Sequence, residues 1–100
     1  MTVIYEVNLV VAPAIEKEFA HWLAAHVTDM LAIPGFVDAE LAQEEREQGQ
    51  PAAFSVRYRL ESRAALERYF AEHAERMRGD GLQRFGQQFS ASRRILYPAP

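Results

Sequence analysis

The chain has 100 residues, 49% of them hydrophobic and 25% charged, with a formal net charge of −3. That composition fits one globular domain spanning residues 1–100 and burying roughly 60–68% of its unfolded surface. There is no cysteine, which excludes disulfides, thiolate nucleophiles and cysteine-bound zinc, and the ten arginines and one lysine are scattered rather than gathered into a phosphate-binding stripe.

Along the chain, residues 2–12 alternate apolar and polar at period two. Val3, Tyr5, Val7, Leu9 and Val11 define a face covered by helices, while Ile4, Glu6, Asn8 and Val10 define a second face. With the first strand starting this early, no leader segment is expected. No apolar run approaches the about 18 residues of a membrane span, and a cytoplasmic protein is expected. Pro13 suits the first turn of a helix over 13–31, whose inward stripe is Ile15, Phe19, Trp22, Leu23, His26, Val27 and Met30. Pro34 and Gly35 end it.

A second strand is predicted over about 36–43, with Val37, Ala39 and Leu41 inward and Phe36, Asp38 and Glu40 on the second face. Residues 44–52 form a polar hairpin loop turning at Gly49 and Pro51. The third strand, 53–60, points Phe54, Val56, Tyr58 and Leu60 inward and Ser55, Arg57 and Arg59 to the second face. Ser62 caps a second helix over 63–78, with Leu66, Tyr69, Phe70, His73 and Met77 inward, and Gly79-Asp80-Gly81 breaks it. Residues 82–88 add a short helical turn. The last strand, about 89–97, is ambiguous, offering either Ala91, Arg93, Ile95 and Tyr97 or Ser90, Ser92, Arg94 and Leu96 to the helices.

This order predicts an α+β, ferredoxin-like βαββαβ sandwich: an antiparallel four-stranded sheet with two helices on one face. In that topology the first strand lies between the third and fourth, which sets Glu6 beside Arg57 and, in one of the two alternations of the last strand, beside Arg94. Ile4, Val10, Phe36 and Leu96 would otherwise face water together, so a second copy is expected to cover them, closing a dimeric α/β barrel around Glu6, Asp38, Glu40, Arg57 and Arg59.

The segments IYEVNLVV (4–11), LAIPGFVDAEL (31–41), YRLESRAALERYF (58–70) and RFGQQFSASRRIL (84–96) resemble the dimeric α/β-barrel superfamily, which includes antibiotic-biosynthesis-type monooxygenases. More narrowly, they resemble a bacterial family of small uncharacterised ferredoxin-like proteins within it. The resemblance implies two readings from different classes. One is a small-molecule-binding protein or cofactor-independent monooxygenase-like enzyme; the other is a non-enzymatic dimeric module. The ligand-binding candidates are Asn8, Glu6, Phe36, Arg57, Arg59 and Arg94. Asn8 stands out because an amide in a central strand goes against β-propensity. Haem-degrading members of the superfamily are matched at Asn8. However, Tyr69 stands where they carry a tryptophan and Gly79 where they carry the proximal histidine, and His73 lies two turns too early. No haem is therefore expected. His21 and His26 are five apart, a poor spacing for shared ligation on one helix, and no metal, nucleic-acid or membrane partner is expected.

Overall fold

The computed structural model describes residues 1–100. The strands are β1 (Val3–Val11), β2 (Phe36–Gln43), β3 (Ala52–Leu60) and β4 (Phe89–Leu96), and the helices are α1 (Glu16–Leu31), α2 (Arg63–Glu72) and α3 (Ala74–Phe85). The sheet order is β2-β3-β1-β4, with every neighbouring pair antiparallel. This is the ferredoxin-like arrangement expected from the sequence. The β1 alternation holds: Val3, Tyr5, Leu9 and Val11 are buried under the helices beside Val56, Tyr58 and Leu60 of β3.

Local signals explain where the elements begin and end. Pro13 opens a single 3-10 turn, Pro13–Ile15, that leads into α1. Phe19, Leu23 and Met30 are buried, and Trp22, His26 and Val27 are half-buried beside them. At the start of α2 the Ser62 hydroxyl accepts a hydrogen bond from the Ala65 N–H at 3.1 Å, satisfying a donor that the first turn leaves open. Between β2 and β3, Arg46 ties the hairpin loop to the start of α1 through Glu16 at 2.6 Å.

Three expectations are corrected or decided by long-range structure. Phe36 does not lie on the second face. A register shift between Phe36 and Asp38 pairs Phe36 with Leu60 and leaves Val37 out of the ladder, half-exposed. The extra residue turns Phe36 to the helix side, where its ring meets Tyr58 at 5.6 Å and Tyr69 at 5.3 Å, both edge to face. From Asp38 onward the expected alternation resumes.

The second correction concerns Gly79-Asp80-Gly81, which does not end a helix. The second predicted helix instead bends at His73 (φ −129°, ψ −28°), and α3 runs through both glycines to Phe85. Each glycine costs a helix about 1 kcal/mol relative to alanine, so packing must favour it here. Gly81 lies under Trp22, where a Cβ would come within 2.9 Å of the indole ring. Asp80 accepts the Trp22 Nε1–H at 2.7 Å. Met77 and Phe85 are buried on the same side.

Third, β4 resolves its ambiguity. Its pairing with β1 sets Ala91 opposite Leu9, Arg93 opposite Val7 and Ile95 opposite Tyr5, all toward the helices. Ser92 and Arg94 face away, opposite Asn8 and Glu6. No helix is long and apolar enough to cross a membrane.

Candidate functional site

Two polar constellations occupy opposite faces of the sheet. On the face away from the helices, register sets Arg57 and Arg94 on either side of Glu6. Arg57 Nε donates to Glu6 Oε2 at 2.7 Å, and Arg94 Nε donates to Oε1 at 2.6 Å. Asn8 Nδ2 donates to the same Oε1 at 2.8 Å, while Asn8 Oδ1 accepts from Ser55 Oγ at 2.6 Å. Glu6 is only 3% exposed, and these donors, led by the Arg94 guanidinium, hold its carboxyl down at about 2 despite the opposing cost of burial. The group therefore stays ionised throughout the physiological range.

Four of the six candidates thus meet: Glu6, Asn8, Arg57 and Arg94. They line a shallow concavity of about 290 Å³ together with Glu40, Ala42 and Ser55. Arg59 stands apart, paired with Asp38 on exposed surface. Phe36 is excluded, because the β2 bulge puts it on the other side of the sheet. The amide of Asn8 is committed to Glu6 and Ser55, which accounts for an asparagine in a central strand: it links β1 to β3.

The other constellation lies between sheet and helices. A partly open cavity of about 260 Å³ is lined by β1, β3 and β4 below and by all three helices above. It falls just under the roughly 300–1,000 Å³ of typical small-molecule sites. Its walls are mostly apolar and aromatic, with the phenols of Tyr5, Tyr58 and Tyr69, the His26 imidazole and the guanidiniums of Arg78 and Arg93 among them. Burial pushes the Tyr69 phenol up to about 12 and raises that of Tyr58 further, so both remain protonated donors. His26 stacks on Trp22 at 4.6 Å, and burial lowers its pKa, leaving the ring neutral near pH 7.

Sequence reasoning treated Trp22, Tyr5 and Tyr58 as core and missed Arg78 and Arg93. Arg93 was findable only once β4 had a register, since a charged residue alternating with Ala91 and Ile95 then breaks an inward face. Arg78 carries no such signal, because the bend at His73, inside the predicted helix, changes the direction in which α3 presents it. His73 lies at the α2–α3 bend beside Arg76, at 2.7 Å, outside the cavity. No group of three or more His, Asp and Glu side chains is placed to hold a metal ion.

The sandwich shares its fold with solved structures that include a cofactor-independent oxygenase and a protein described as an antibiotic biosynthesis monooxygenase from Deinococcus radiodurans. The chain belongs to the family described as a domain of unknown function, DUF4286, whose profile matches residues 2–99. Among solved structures it is similar to SnoaB, a cofactor-independent oxygenase from Streptomyces nogalater, at 17% identity and a TM-score of 0.64, covering 99% of this chain and 94% of that one. A protein from Mycobacterium tuberculosis is similar at 18% identity and a TM-score of 0.70, covering 100% and 97% of the two chains. A conserved protein of unknown function from Bacteroides thetaiotaomicron is similar at 8% identity and a TM-score of 0.72, covering 95% of each. At such identities the likeness is one of fold. No curated protein matches the chain.

Proposed function

We propose that this protein binds a small, flat, mostly apolar molecule in the cavity between sheet and helices. The cavity itself is the observation that carries this reading. Sheet and helices leave some 260 Å³ between them, partly open to solvent and walled by aromatic rings with a few convergent polar groups, which is the make-up of small-molecule sites. Cofactor-independent oxygenation is the activity to assay first. It asks a protein to orient an electron-rich ring, to take a proton from it and to stabilise the resulting anion. Neutral His26 serves as the proton acceptor, and the Tyr58 and Tyr69 phenols are the donors that steady an anionic oxygen. The fold shared with SnoaB supports this reading.

The test uses the neutral fluorophore phenylnaphthylamine. Saturable binding of one molecule per chain is expected, and Ala91→Leu, which fills the cavity from β4, should weaken it about tenfold by removing the volume. Binding that Ala91→Leu leaves unchanged would place the probe elsewhere and remove the reading.

A second reading concerns the opposite face, which we propose packs against a second copy of the chain. Ile4, Leu96 and the half-exposed Val10 lie there, and the buried carboxylate of Glu6 is already paired to both arginines, so association would not leave it without a partner. Sedimentation at micromolar concentration should give twice the 11.4 kDa chain mass, reverting to one chain in Val10→Glu. A wild-type monomer under those conditions would exclude the dimer.

A further inference from the structure

We propose that the ligand of the cavity is an aromatic acid: a planar apolar body carrying one anionic group, held at the cavity mouth by Arg93 together with Arg78. This rests on the binding reading above and adds the sign and place of the ligand's charge.

The argument begins with how the arginines are used. Six of them (Arg46, Arg57, Arg59, Arg63, Arg84 and Arg94) form ion pairs with carboxylates. Arg68, Arg76, Arg78 and Arg93 do not, and of these four Arg78 and Arg93 line the cavity, with no aspartate or glutamate lining it beside them. Arg78 is positioned by neutral groups instead. Its Nη2 donates to Tyr5 Oη at 3.0 Å, and its guanidinium lies 5.9 Å from the centre of the Phe70 ring. Arg93 is placed by register, opposite Val7 on the helix side of the edge strand β4.

Both guanidiniums are close enough to the Tyr69 phenol to favour its ionisation, and Arg93 also opposes charging of His26. The carboxylates nearest His26 are Asp80 and Asp29, and Asp80 is committed to the Trp22 indole. Two uncompensated cations at the rim of an apolar, aromatic chamber are complementary to a flat molecule whose charged end stays at the mouth. Arginine, with its planar fork of donors, suits a carboxylate or comparable oxyanion there.

The test compares two probes that share one aromatic skeleton, anilinonaphthalene sulfonate, an anion, and phenylnaphthylamine, which lacks the sulfonate. Wild-type protein should bind the anion about tenfold more tightly, as one partly exposed charge-assisted hydrogen bond would give. Arg93→Gln should remove that preference, lowering affinity for the anion about tenfold more than affinity for phenylnaphthylamine. Arg68→Gln, at an exposed site on α2, corrects for the change in net charge. Equal affinities for the two probes, both lowered by Ala91→Leu, would overturn the charge assignment and leave the cavity reading standing. Equal effects of Arg93→Gln and Arg68→Gln would also overturn it, as diffuse attraction. If neither probe binds, or if Ala91→Leu affects neither, the cavity reading falls and this inference with it.

Discussion

Glu6→Gln is expected to destabilise the protein by about 2 kcal/mol near neutral pH. The size follows from linkage. The folded carboxyl titrates at about 2 against 4.5 for a free glutamate, a difference corresponding to at most about 3 kcal/mol, and solvent around the half-exposed Arg57 and Arg94 reduces it. Because the folded pKa is depressed, this stabilisation is complete above about 4.5 and is lost as pH falls toward 2. Glutamine keeps the shape but turns an amide N–H₂ toward donors that a carboxylate had satisfied. Urea unfolding across that acidic range is the measurement. The wild-type and Glu6→Gln stabilities should converge as pH falls, and a constant gap would assign the cost to packing rather than to charge.

A larger loss is expected from Gly35→Ala, about 3 kcal/mol or more. Gly35 follows the end of α1 with φ +94°, where a side chain is strained, and an added Cβ would sit 2.5 Å from the Ala65 Cβ in the first turn of α2. Backbone strain contributes about 1–2 kcal/mol and steric overlap in a packed site another 1–3. The contact matters because the Gly35 carbonyl also accepts the Glu61 N–H at 2.9 Å, fixing the α1 exit to the end of β3. Ala65→Gly in the same chain should recover the overlap and not the strain. Additive losses in the double variant, read from chemical unfolding, would show that the two residues do not meet.

These two positions were legible to different degrees. The Pro34-Gly35 exit was plain as a helix stop, but its close approach to Ala65 joins residues thirty apart in sequence. Glu6 could be placed beside Arg57 before any coordinates, because alternation fixes a side chain's face and the order of strands fixes its neighbours, whereas Arg94 joined them only when β4 took its register. The ligand candidates were then drawn from that charged face. The structure ties Glu6, Asn8, Arg57 and Arg94 to one another around a shallow, polar concavity and opens a second, aromatic-walled cavity on the opposite side.

The sequence by itself determined the order of elements, the faces of β1 and β3, the Ser62 cap and the place of Glu6 beside Arg57. Each depends on a local period or on a residue's own backbone and hydrogen-bonding chemistry. Only the tertiary structure decided the side taken by Phe36, the continuity of α3 and the face of β4. A single bulged residue reverses a period of two, which no alternation reveals in advance. The helix continues past residue 79 because Trp22, from α1, packs against Gly81, where a side chain would meet it, and finds Asp80 as its acceptor. The cavity belongs to the same class. It is a volume left between strands and helices that meet only when folded, so Arg78 and Arg93 gained a shared role only when α3 and β4 were brought to its mouth.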